Sequence, residues 1–242
     1  MDVTRLFRPR RSRWILQTEP DPADPLKPFR KVVQLVLDEI IARYDDMLSD
    51  LDTLAYTVTI PDSGILTVQA AVRRLGADPA VLRELGPTDV GDGLHLHEPG
   101  PTDAGRGLDL YQVGAGIVTL GWIDLGEERQ EMTDRLAGDG FRHWRLSLDI
   151  EGNTVMYARY GNAEGFLEHP EPGWIPFTHW TDHLGPLSAY TELFLRGYDS
   201  EEAEADVDIT AACLAVIEVE SGVRLDDELM DRPHSLLPGL EA

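Results

Sequence analysis

Two apolar, strand-length runs, Trp144–Ile150 and Thr154–Tyr160, are separated only by Glu151, Gly152 and Asn153. Three turn-forming residues between two such runs predict an antiparallel hairpin, WRLSLDI–EGN–TVMYARY. This hairpin constrains the chain more than any other feature, because it commits the fold to an antiparallel sheet. Gly161-Asn162 marks the next turn and leads to a further strand at Glu164–His169, while Leu108–Val113 and Ile117–Ile123 supply two strands upstream. Glu127–Ala137 reads as a helix laid across one face of the sheet. The expected class is α+β: a central antiparallel β-meander flanked by helices, preceded by a long N-terminal helix.

That N-terminal helix is read from Pro28 to Leu51. Val33, Leu37, Ile40, Tyr44, Met47 and Leu51 recur at three- and four-residue spacing. Val32, Val36, Ile41 and Leu48 widen the stripe, so burial on more than one side is expected, by the body or by a second copy of the chain. A second helix is predicted at Leu66–Leu75, stopped by Gly76, and a short one at Pro79–Leu85, opened by Asp78. Near the C-terminus, Leu184–Leu195 stops at Gly197, and Asp208 caps Ile209–Ser221 ahead of Gly222. The last of these is apolar on almost every side and carries Cys213, the one cysteine, as a packing residue.

Three regions follow from this pass. Residues 1–27 form a basic, proline-rich flexible arm, residues 28–53 an amphipathic helical extension, and residues 54–242 an acidic α+β domain. Within the last, residues 86–107 are a long loop rich in Gly, Pro and Asp.

Charge narrows the partners. The chain of 242 residues carries a formal net charge of −23, and residues 1–50 hold nine basic and nine acidic groups, so the whole excess lies after position 50. Such a body repels nucleic-acid backbones and acidic membranes and favours a partner with a basic surface. Nucleic acid remains an option only for the basic arm. No apolar run approaches the roughly 18 residues of a membrane span. A single cysteine leaves no intramolecular disulfide and no cysteine-cluster zinc site. The cytoplasm is the expected compartment.

Catalytic motifs are sparse. Only Lys27 and Lys31 exist and neither follows glycine, which removes the P-loop. There is no G-x-S-x-G elbow, no H-E-x-x-H pair and no G-x-G-x-x-G after a strand. Histidine is the remaining route. His95 and His97, beside Glu98, alternate in one stretch, while His179 and His183 flank Asp182 in another. Together they would offer a divalent metal four imidazoles. His143, His169 and His234 show no sequence partner. Trp174, Phe177 and Trp180 lie in a segment punctuated by Pro and Gly, where exposed rings would make a partner-binding hot spot.

Residues 54–80, LAYTVTIPDSGILTVQAAVRRLGADPA, residues 144–165, WRLSLDIEGNTVMYARYGNAEG, and residues 211–233, AACLAVIEVESGVRLDDELMDRP, occur in an order that resembles an actinobacterial domain-of-unknown-function family. Ser63-Gly64-Ile65-Leu66 departs from the Gly-Leu-Thr found there. The resemblance implies an α+β fold with a Tyr-Thr strand near residue 56 and a bacterial setting, and it transfers no catalytic residue. The functional expectation is therefore an acidic interaction or regulatory protein, immunity- or adaptor-like, needing no cofactor. A metal-dependent enzyme using His95, His97, His179 and His183 is the alternative. The helix from Pro28 to Leu51 also offers a homodimer interface.

Overall fold

The computed structural model describes residues 27–49, 51–86, 107–121, 132–169, 181–197 and 206–238, with side chains from Gln34 onward. Among the described residues eight strands form one antiparallel sheet. They are β1 (Leu54–Pro61), β2 (Arg83–Leu85), β3 (Leu108–Val113), β4 (Gly116–Gly121), β5 (Phe141–Leu148), β6 (Thr154–Tyr160), β7 (Ala163–His169) and β8 (His234–Leu237). Their order across the sheet is β2-β8-β3-β4-β1-β5-β6-β7. The helices are α1 (Lys27–Leu48), α2 (Val68–Leu75), α3 (Thr191–Arg196), α4 (Ile209–Ser221) and α5 (Asp227–Met230).

The mixed α+β class and the antiparallel sheet stand as expected, but the meander of β5, β6 and β7 lies at one edge of the sheet and not at its centre. Leu148 pairs with Thr154, so the hairpin closes over Asp149–Asn153. Asp149 builds that turn. Its carboxylate accepts from the backbone N–H of Glu151 at 2.9 Å and of Asn153 at 2.8 Å, and from Asn153 Nδ2 at 2.8 Å. Slight burial works against the charge, but these donors hold the Asp149 carboxyl below its ordinary value. Gly152 supplies the positive φ of 82° the turn needs. Because the turn starts at Asp149, β5 stops short of Ile150, which is 77% exposed.

A long N-terminal helix buried on several sides is not supported. The described residues up to Val36 and those from Leu37 onward fall in two units. In the first, Leu35 and Val36 are about half exposed, at 52% and 47%. In the second, Leu37, Ile40, Ile41 and Tyr44 of α1 are buried in the main core. Within the second unit the buried stripe of α1 runs from Leu37 and includes Ile41, one of the residues expected to widen it.

Other differences have local causes. Pro79–Leu85 is a single 3-10 turn, Pro79–Val81, capped by Asp78, after which Arg83–Leu85 pairs with β8. Sheet pairing there overrides a local preference for helix. Leu184–Leu195 is divided into a 3-10 helix, Gly185–Tyr190, and the α-helix α3. Of Glu127–Ala137, only residues 132–137 are described, and they make one helical turn ending in the core residues Leu136 and Ala137. Asp208 caps α4 through Ala211 N–H at 2.7 Å, and Gly222 ends it with φ 70°.

The two sheet faces pack differently. Tyr56 and Val58 of β1, Trp144 and Leu146 of β5, Met156 and Ala158 of β6 and Leu167 of β7 lie in one core with α4, whose residues Ile209 to Ile217 are all buried. On the opposite face, Leu110 of β3 and Ile117 of β4 meet Ala71, Val72 and Leu75 of α2, together with Leu136. At the far edge the chain after residue 181 crosses close to β7. A Cβ on Gly165 would sit 2.0 Å from Leu184 O, and one on Gly185 would sit 2.1 Å from Glu164 O. Only two glycines allow that crossing. No helix of the described residues is long and apolar enough to cross a membrane.

Candidate functional site

Alternation along FRHWRLSL sends Trp144 and Leu146 to the main core and His143, Arg145 and Ser147 to the opposite face. Register then assembles two polar rows. Thr59, His143, Arg159 and Glu164 stand side by side across β1, β5, β6 and β7. Thr119, Thr57, Arg145, Tyr157 and Phe166 form the next row. Thr57, Thr59, Thr119, His143 and Arg145 are buried, whereas Glu164 and Phe166 are exposed.

His143 is the centre of this face. Its Nδ1 lies 2.8 Å from Thr59 Oγ1, and its Nε2 lies 3.5 Å from Asp134 Oδ1, a charge contact without the alignment of a hydrogen bond. The neutral ring serves both neighbours best with its proton on Nε2, facing Asp134, and with Nδ1 accepting from the Thr59 hydroxyl. Arg145 holds the same carboxylate by two bonds, Nε to Oδ1 at 2.8 Å and Nη2 to Oδ2 at 3.2 Å. Such two-point pairing fixes direction as well as distance. Tyr157 completes the cluster. Its ring meets His143 edge-on and lies under the Arg145 guanidinium, and its hydroxyl donates to Glu164 at 3.2 Å. Arg159 bonds the carbonyl of Gly161 through Nε at 2.8 Å.

Electrostatics follow from burial and neighbours. Burial pushes the His143 pKa below its ordinary value; Asp134 opposes this, and Arg145 and Arg159 reinforce it. For Asp134, burial acts to raise the pKa, but His143 and Arg145 together hold the carboxyl below the usual range. Burial and the charges of Glu164 and Asp134 push the Tyr157 hydroxyl up.

Hydroxyl, imidazole and carboxylate in line have the composition of a nucleophile, base and orienting acid. The burial argues for a structural role instead. Thr59 and His143 are both 0% exposed, and Asp134 is committed to Arg145. A nucleophile needs contact with its substrate, and this hydroxyl has none. The chemistry the arrangement supports is proton-linked packing.

The residues singled out from the sequence fall mostly elsewhere. His95, His97, His179, Trp174, Phe177 and Trp180 lie outside the described residues. His183 is described: it is exposed, at the end of the 3-10 turn Thr181–His183, and stacks on Phe166 with ring centroids 5.2 Å apart. Among the described residues no group of three or more His, Cys, Asp or Glu could hold a metal ion. Cys213 is fully buried in α4, and desolvation pushes its thiol well above the ordinary value, as befits a packing residue.

His143 and His234, which show no partner in the sequence, have partners in space. His143 finds Thr59 and Asp134, and His234 stacks on Tyr111 and approaches Asp109 at 3.6 Å. The available signal for His143 was the alternation in β5, which already places it beside Arg145. Compared with known proteins, the chain matches no family model, no curated protein and no solved structure.

Proposed function

We propose that this chain is an acidic interaction protein that binds a macromolecule with a basic surface, in an immunity- or adaptor-like role. The supporting observation is how its arginines are used. Arg145, Arg196, Arg224 and Arg232 pair with carboxylates of the same chain. Arg74, Arg135, Arg142 and Arg159 donate to backbone carbonyls. Positive charge after position 50 is thus largely engaged within the fold, against an excess of −23 in the same region. Exposed carboxylates such as Asp45, Asp46, Asp62, Glu151 and Asp227 face solvent. A field of that sign speeds encounter with a basic partner and is screened over about 8 Å at physiological salt.

The aromatic segment holding Trp174, Phe177 and Trp180 is the proposed anchor. It follows β7, where exposed Phe166 stacks on His183. The family suggested by residues 54–233 is part of the same proposal, as is a homodimer through the helix from residue 28.

The test uses the purified full chain, immobilised to capture its partner from an extract of the source cells. The association rate with that partner is then followed between about 50 and about 500 mM salt. A fall of about tenfold or more is expected. A flat rate would reject charge as the basis of recognition. Elemental analysis of the untagged protein addresses the rival metal enzyme: one equivalent of zinc, lost on substituting His179 or His183, would replace this reading.

A further inference from the structure

The turn at residues 132–137 is held to the body from several sides. Leu136 is buried in the second core, Arg74 Nη2 bonds the carbonyls of Leu136 and Ala137, and Arg135 Nη1 bonds the carbonyl of Leu75. The fourth attachment is Asp134, on Arg145 and beside His143. His143 alone in this set changes charge near neutral pH.

From this geometry we infer that His143 is a proton-sensitive latch: on taking a proton it sets a second buried cation beside the Asp134–Arg145 pair and loosens the 132–137 turn from β5. Protonation converts Nδ1 from acceptor to donor, so the Thr59 hydroxyl must turn its own proton away from His143, its side-chain partner among the described residues. The new charge is fully buried. It faces Asp134 from the turn, Arg145 from its own strand, Arg159 and Tyr157 from β6, and Thr59 from β1. The Asp134 carboxylate attracts the imidazolium but already balances Arg145 through two bonds, so the protonated cluster would hold two buried cations against one anion.

Burial, with Arg145 and Arg159, holds the closed-state His143 below its ordinary value, and access to water in an opened turn would return it toward that value, about 6.5. Protection is therefore complete above pH 6.5 and is lost as pH falls toward the closed-state value, by at most about tenfold per pH unit for one proton.

Hydrogen exchange reads this directly, at the amides of Arg135, Leu136 and Ala137, which bond Met132, Thr133 and Asp134 within the turn. After correction for intrinsic rates, protection should fall by about fivefold or more from pH 6.5 to pH 5, while Val118 and Leu146 in the sheet stay unchanged. His143→Gln should abolish that fall. Protection that is flat over the range, or that falls equally in His143→Gln, would overturn the inference. If the variant does not fold, NMR titration of the His143 ring in the natural protein decides. A midpoint below 6.5 that tracks the loss of protection upholds the latch, and any other midpoint removes it.

Discussion

The two faces of the central sheet solve burial in opposite ways. Under α1 and α4, Tyr56, Val58, Trp144, Leu146, Met156 and Ala158 pack with α4 residues that are buried on every side. Dispersion and loss of water contact hold such a face, and neither demands a particular partner. Behind the same strands, Thr59, His143, Arg145 and Asp134 are held by named bonds in fixed directions. There each group is stable only while its partner stays, because an unmatched polar group in a dry interior costs more than its bond contributes. The difference teaches that one face tolerates change in proportion to volume, and the other fails by pairs.

The sharpest way to break that contrast starts on the apolar side. Trp144→Ala should cost about 3–5 kcal/mol in urea unfolding, since it empties a fully buried site and leaves the Tyr160 hydroxyl without its Nε1 donor. A loss under about 1 kcal/mol would mean that the main core can collapse around the gap.

Asp134→Ala comes next, at about 2 kcal/mol, because Arg145 is left buried with its two-point partner gone. The informative variant is the double one. Asp134→Leu with Arg145→Met should return to within about 1 kcal/mol of the natural protein, since removing both partners avoids the unmatched charge. If the double variant is as unstable as Asp134→Ala, pairing is not what governs this face.

The smallest effect belongs to Thr59→Val, about 1 kcal/mol. It keeps the volume and removes the hydroxyl that His143 Nδ1 accepts from. It should also move the ring's titration, which a purely steric change would leave in place.

These faces were unequally legible. The apolar one shows in the sequence, because Asp208, the apolar run to Ser221 and Gly222 spell out α4 with both ends. The hairpin is equally local, with Asp149 and Gly152 carrying its turn. The polar site is a product of register: Thr59 is 84 residues from His143, and nothing in either stretch announces the other. β8 escapes for a related reason, since His234–Leu237 is short and exists by pairing with β2 and β3. Local physics writes caps and turns into a sequence, while pairings appear only once the strands are laid side by side.

The crossing of Gly165 and Gly185 has a consequence for assembly and for descent. It brings backbone against backbone at the two glycines, while Phe166 stacking on His183 and Leu184 beside Leu167 in the main core draw the two stretches together. Over generations the same crossing forbids any substituent at either position while performing no chemistry. An unchanging glycine pair in relatives of this chain would record proximity, not catalysis.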